Sequence, residues 1–227
     1  GTKMAADVVA ATKLQAFQND TIIVRAQATG TPKLNNDAAL VATDVTADNG
    51  VIHVIDTVIM PPDADIVALA NANANVLSTL VQAVTAADLV ATLQGTGPFT
   101  VLAPTNAAFA ALPAGELDRL LLPANKAELA AVLTYHVVAS YAVFDDIKTL
   151  STVDTVNTAA IGVSFANDVI TLNNGAATVT ATNDLRATNG VVHVIDAVLL
   201  PPAADAPSGD DSGSGSPSAD AGTPADA

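Results

Sequence analysis

Cysteine is absent from the 227 residues, so disulfides and thiolate metal sites are excluded, and the redox compartment leaves no trace in cysteine usage. Tryptophan is absent and aromatics make up only 3%, so any core must be built from Ala, Val, Leu and Ile. Positive charge is scarce: 8 Lys and Arg stand against 23 Asp and Glu, a net charge of −15. That balance argues against nucleic acid, whose phosphates demand a basic face, and against an anionic membrane surface. Glutamate is also rare. Glu116 and Glu128 are the only two, and the remaining acids are Asp, a turn and cap residue, which fits many loops or a salty medium better than long surface helices. No apolar run reaches the ~18 residues of a transmembrane helix, and no basic-then-apolar leader opens the chain at Gly1-Thr2-Lys3-Met4.

What is present is an apolar fraction of 50%, enough for a sizeable core in one large domain or two ordinary ones. An internal repeat sets the division. Residues 49–62 (NGVIHVIDTVIMPP) and 189–202 (NGVVHVIDAVLLPP) agree at ten of fourteen positions, at a constant offset of 140 that pairs His53 with His193 and Asp56 with Asp196. The match extends weakly upstream, Asp44 to Asp184 and Ala47 to Ala187. Such a period is the size of a whole domain, not of a solenoid unit. Residues 63–202 are therefore expected to be one complete repeat, and residues 1–62 the C-terminal part of another, as in a fragment of a longer protein. Residues 203–227 contain only Ala, Asp, Ser, Gly, Thr and Pro, with five Asp and no basic or large apolar residue. They are expected to be a disordered acidic tail or linker.

Within 63–202 the first half reads as helical. Asp65 or Asn75 caps a helix carrying Val76, Leu77, Leu80, Val81 and Val84. Thr85 caps a second with Leu89, Val90 and Leu93, and Gly95 stops it. A short strand at 99–102 precedes Pro104 and a helix starting at Thr105 or Asn106. Leu117, Leu120 and Leu121 mark another helix, and Asn125 caps the last, around Leu129–Leu133. The second half reads as strands at 135–138, 152–156, 161–166, 169–172, 177–182 and 191–200, with turn signals at Asn173-Asn174-Gly175 and Asn189-Gly190. Residues 191–200 show no polar alternation apart from His193 and Asp196, as expected of a strand covered on both faces. Helices followed by strands argue an α+β fold.

Three segments of this repeat, in order, resemble the fasciclin domain family: TGPFTVLAPTNAAFAALP (96–113), the Tyr135-His136 pair in LTYHVV, and ATNGVVHVIDAVLLPP (187–202). Residues 1–62 resemble the later part of another copy, without the first segment or the Tyr-His pair. The resemblance implies a fasciclin-like wedge β-sandwich with helices packed along one edge. It also implies tandem repeats in secreted or cell-surface adhesion proteins, with no catalysis, and no cofactor is expected. In animal members an Asp-Ile pair before the Ala-Thr-Asn-Gly stretch is implicated in adhesion. Here it aligns with Asp184-Leu185, and in the first copy with Asp44-Val45. A second implicated region surrounds Tyr135 and His136. The alternative for these residues is that Asp184 caps a turn, Leu185 fills the core edge and His136 bonds inside the fold, to Thr105 or Asn106.

The residues carry independent readings. Pro104 ends a strand, and Thr105 or Asn106 accepts from the free N–H groups of the helix that follows. Asn189-Gly190 turns into the last strand. His193 and Asp196 lie three apart and face opposite sides of a strand, so they form no dyad. The histidines lack metal-ligand spacing, no loop has calcium-binding spacing, and no nucleophile elbow or phosphate loop is present. The expected function is an extracellular or cell-surface adhesion or matrix-interaction module. Its partner would be a surface protein or a second copy of itself, bound through protein–protein contacts. The alternative is a carrier of an extended apolar molecule such as a carotenoid, held between helices and sheet as in some algal members.

Overall fold

The structure is a computed structural model that describes residues 2–11, 13–16, 21–25, 31–35, 37–180 and 184–202. The acidic tail, 203–227, and the end of the strand expected at 177–182 lie outside the described residues. Residues 2–62 form a short helix, α1 (Ala5–Ala10), and strands β1 (Lys13–Gln15), β2 (Thr21–Arg25), β3 (Lys33–Leu34), β4 (Ala38–Ala47) and β5 (Gly50–Ile55). The five strands make one antiparallel sheet in sequence order. Strand patterning alone does not announce α1. It starts where Asp7 reaches back to accept from the Met4 N–H at 3.0 Å. Its Val8 packs with Val24, Leu34, Ala38 and Leu40 in a small separate core.

The first half of residues 63–202 comprises α2 (Ile66–Ala72), α3 (Ala74–Ala86), α4 (Val90–Leu93), strand β6 (Phe99–Pro104), α5 (Asn106–Ala110), α6 (Glu116–Leu121) and α7 (Lys126–Tyr135). Then follow β7 (Val137–Val138), α8 (Phe144–Ile147), β8 (Thr152–Asp154), β9 (Ala160–Ala166), β10 (Val169–Leu172), β11 (Ala177–Thr178), β12 (Leu185–Ala187) and β13 (Gly190–Ile195). Two four-stranded sheets result, β11-β10-β9-β8 and β12-β13-β6-β7, joined by a bridge between Val179 and Ile195. Within the second sheet β6 and β13 run parallel and central. Their alternate residues serve two cores. Val101, Ala103 and Val192 pack under the helices with Leu77, Leu80 and Leu133. Leu102 and Ile195 face the other sheet with Ile161, Ile170 and Leu172. This is an α+β wedge sandwich, and all six residues of β13 are buried.

Several caps and boundaries differ from the sequence reading. Asp65 does cap, accepting from the Ala68 N–H at 2.8 Å, but Asn75 lies inside α3. Thr85 also lies inside α3, its hydroxyl donating to Val81 O at 2.8 Å, and the break before α4 falls at Asp88, whose φ is 56°. Asn125 donates to Arg119 O at 2.7 Å instead of capping α7. Residues 135–136 close α7, so strand pairing begins only at Val137. The last strand ends at Ile195, because Asp196 turns away to accept from the Thr178 N–H and hydroxyl.

Candidate functional site

The motif residues form four polar junctions, the one at Thr105 and Asn106 half-buried and the others centred on buried side chains. At the first, Thr105 caps α5 by accepting from the Ala108 N–H at 3.0 Å. The neighbouring Asn106 accepts from the Thr79 N–H at 2.9 Å and donates to Asn75 O at 3.2 Å, tying α5 to α3. At the second, Asn189 accepts from the Ile66 N–H at 3.1 Å and donates to Leu93 O and Gly95 O at 2.8 Å, fastening α2 and α4 to the sheet. Gly190 is required beside it: a Cβ there would stand 2.1 Å from Phe99 O, across the parallel β6–β13 pairing.

The third junction surrounds the Tyr-His pair. The Tyr135 hydroxyl donates to Ala160 O at 3.1 Å and accepts from Asn173 Nδ2 at 2.9 Å. His136 does not bond to Thr105 or Asn106. Its Nδ1 donates to Val132 O at 2.7 Å and its Nε2 accepts from the Leu199 N–H at 3.0 Å, a pairing that assigns the Nδ1–H tautomer. Burial pushes the His136 pKa down to about 4, opposed by the Val132 carbonyl. At the fourth, His193 Nε2 donates to Ala142 O at 2.9 Å while Nδ1 accepts from the Asp184 N–H at 3.3 Å. Asp184 holds φ at 54°, and its carboxylate accepts from the Phe144 N–H at 2.8 Å. Burial raises the Asp184 pKa against the pull of His193, the Phe144 N–H and Arg25, and burial likewise lowers that of His193. Asp196 takes no part with His193 and is engaged by Thr178.

Three of the four adhesion candidates, Tyr135, His136 and Asp184, are thus inside the protein, and their polar atoms are bound to the fold. Leu185 is half-buried. With Asp184 and Arg186 it borders a groove of about 330 Å³ whose opposite wall is Leu34, Val58 and Met60 of the first segment. Arg25 approaches there too, 3.9 Å from Asp184 and 4.5 Å over the Phe144 ring. Sequence reasoning missed Arg25, Asn173 and Thr100. Thr100 is buried and accepts from the Ala142 N–H at 2.9 Å while donating to Ser140 O at 2.6 Å. Of these, only Asn173 left a signal, as part of a turn whose side chain also accepts from the Gly162 N–H.

The fourth junction occurs twice. In the first segment His53 Nδ1 accepts from the Asp44 N–H at 3.3 Å, His53 Nε2 bonds Lys3 O at 2.8 Å, and Asp44 accepts from the Ala5 N–H at 2.7 Å, with φ at 58°. The capping of α1 by Asp7 matches that of α8 by Asp146, which accepts from the Val143 N–H at 3.1 Å.

Among the described residues no group of three or more His, Cys, Asp or Glu is placed to hold a metal ion, and no helix is long and apolar enough to cross a membrane. An apolar cavity between helices and sheet, lined by Leu80, Val84, Leu93, Phe99 and Leu133, measures about 70 Å³. An engineered cavity that admits benzene is ~150 Å³, so this one holds no extended carotenoid without opening.

The sequence matches the fasciclin domain over residues 1–61 and 75–201. Protein sll1483 of Synechocystis sp. is 49% identical over 125 residues, which is 55% of this chain and 67% of that protein. Cell surface glycolipoprotein MPB83 of Mycobacterium bovis is 40% identical over 144 residues, 61% of this chain and 62% of that protein. Among solved structures, a FAS1 domain pair from the insect cell adhesion molecule Fasciclin I matches with a TM-score of 0.57 at 21% identity, covering 79% of this chain and 67% of that one, a likeness of fold.

Proposed function

The chain belongs to the fasciclin domain family, and from that membership we propose that it is a non-enzymatic adhesion or matrix-interaction module, acting outside the cell or at its surface through protein–protein contacts. The observation that carries this reading is the inward commitment of the motif side chains. Tyr135, His136, Asp184 and His193 are buried and hydrogen-bonded to backbone, so they hold a scaffold and offer no reacting group to a substrate. What such a scaffold presents is its surface, as expected of relatives named for cell-surface location and cell adhesion. Within this reading residues 1–62 are the later part of one fasciclin repeat and residues 63–202 a complete one. The duplicated Asp–His junction supports that division. The adhesive contact is assigned to the half-buried side chains Arg186 and Leu185 that border the groove, not to Asp184.

The test is attachment of cells of the source organism to a surface coated with the full chain. Retention is expected to saturate and to be competed away by soluble chain. Retention no greater than on a coat of heat-unfolded chain would overturn the reading.

A further inference from the structure

Strand β5 is equivalent to β13, yet the two live in different surroundings. β13 is flanked by β12 on one side and by β6, in parallel, on the other. β5 pairs with β4 and ends its sheet, so its second edge is open among the described residues. Val192 and Val194 are 2% and 3% exposed on the side of β13 that meets the helices, whereas their equivalents Ile52 and Val54 are 55% and 43% exposed. Val45 and Val58 extend the same exposed row, and their equivalents Leu185 and Val198 pack against the helical core. A row of this kind on an unpaired edge calls for a cover.

Two polar residues specify the cover. Asn35 Oδ1 accepts from the Ile23 N–H at 2.9 Å, as Asn173 Oδ1 does from Gly162, but Asn35 Nδ2 is buried with no partner. The equivalent Nδ2 of Asn173 donates to the Tyr135 hydroxyl. Asn49 is exposed, while its equivalent Asn189 clamps two helices. Gly50 has nothing within 4 Å of a built Cβ, while a Cβ on its equivalent Gly190 would strike Phe99 O.

We infer that the exposed face and open edge of β5 are a docking surface for the first half of a fasciclin repeat: a strand adding in parallel along Gly50–Ile55, helices over Ile52 and Val54, and a tyrosine hydroxyl accepting from Asn35 Nδ2. The assignment rests on the proposed reading of residues 1–62 as part of a repeat. The occupant is a segment of the same polypeptide ahead of residue 1. In the complete repeat only a short link separates β7 from Ala142, and Ala142 is the equivalent of Lys3, so a tethered half arrives at high effective concentration.

The test adds residues 63–139 of this chain directly before Gly1 of the full chain, since Gly1 is the equivalent of Ser140, and measures hydrogen exchange by mass spectrometry. Amides of Gly50–Ile55 are expected to slow by at least ~10-fold relative to the unextended chain. Gly50→Ala is expected to abolish that slowing in the extended chain while leaving exchange in the unextended chain unchanged. Unchanged β5 exchange on extension would overturn the inference, and so would slowing that survives Gly50→Ala. If the unextended chain already protects β5 and sediments as a dimer, a second copy is the occupant and the assignment fails. Circular dichroism separates the two levels of failure. Added helix without β5 protection refutes docking alone. No added helix, together with cooperative monomeric melting of residues 1–62, refutes the truncated-repeat reading as well.

Discussion

His136 and His193 use the same ring in opposite tautomers, and in both cases each nitrogen is occupied by backbone. His136→Ala leaves Val132 O and the Leu199 N–H without their partner, and a loss of roughly 1–3 kcal/mol is expected in urea unfolding. The pH dependence has a definite sign. Folded His136 titrates at about 4, below its ordinary 6.5. Between those values the unfolded chain binds the extra proton, so stability is full above pH ~6.5 and falls as pH drops towards ~4. A fully buried group shifted this far contributes roughly 3 kcal/mol across that window. His193 acts with the same sign, because burial lowers it too, while the neighbouring Asp184, raised by burial, opposes it. Urea midpoints from pH 7 to 4 should therefore fall, and His136→Asn should flatten the slope; an equal slope in the variant would refute the assignment to His136. Asp184 carries the second residue-scale prediction. It was a candidate for contact with a partner, but its side chain holds the Phe144 N–H and sits 3.8 Å from His193. Asp184→Ala is expected to cost roughly 1–3 kcal/mol, and any weakened attachment should vanish when folded fractions are equalised. Lost attachment at unchanged melting temperature would restore Asp184 as a contact residue.

Elements were legible where a periodic apolar run met a turn residue, and illegible where a side chain decided the outcome at long range. The helices around Leu77–Val84 and Leu129–Leu133 follow from their apolar spacing, and the turn into β13 follows from Asn189-Gly190. The early end of β13 does not, because it depends on Asp196 finding Thr178, eighteen positions away in sequence. The site was legible as a set of residues and not as an arrangement. The motif pointed at Asp184, Tyr135 and His136, but a sequence does not state which way a side chain faces. At element scale the repeated glycine offers the sharpest comparison. Gly190→Ala places a Cβ 2.1 Å from Phe99 O and should separate β13 from β6, whereas Gly50→Ala meets nothing within 4 Å. The first is expected to lower the melting temperature by about 8 °C or more, in line with ~2 kcal/mol or greater for a backbone clash. The second should stay within about 2 °C. Equal effects in calorimetry would mean that the parallel pairing does not depend on close approach at Gly190.

At the scale of the whole molecule the two segments differ in how completely each covers its own apolar surface. In residues 63–202 the helices cover one face of the β6–β13 sheet and the second sheet covers the other, so both cores close within the segment. In residues 1–62 the core is the small cluster around Val8, Val24, Leu34, Ala38 and Leu40, and Ile52 and Val54 remain outside it. A unit near 60 residues buries only about 60% of its unfolded surface even when its layers are complete. This one also leans on its neighbour through charge: Lys13 pairs with Asp146 at 2.5 Å, and Arg186 donates to Met60 O at 3.3 Å. The Lys13–Asp146 pair is half-exposed and pairs of that kind are worth little individually, so they orient the segment more than they stabilise it. Separate expression tests the asymmetry. Residues 63–202 should melt in one cooperative transition. Residues 1–62 should show none, and should bind a hydrophobic dye or self-associate through the open edge of β5. Cooperative melting of 1–62 as a monomer would mean that its small core and five-stranded meander suffice, and the reading of it as an incomplete repeat would fall.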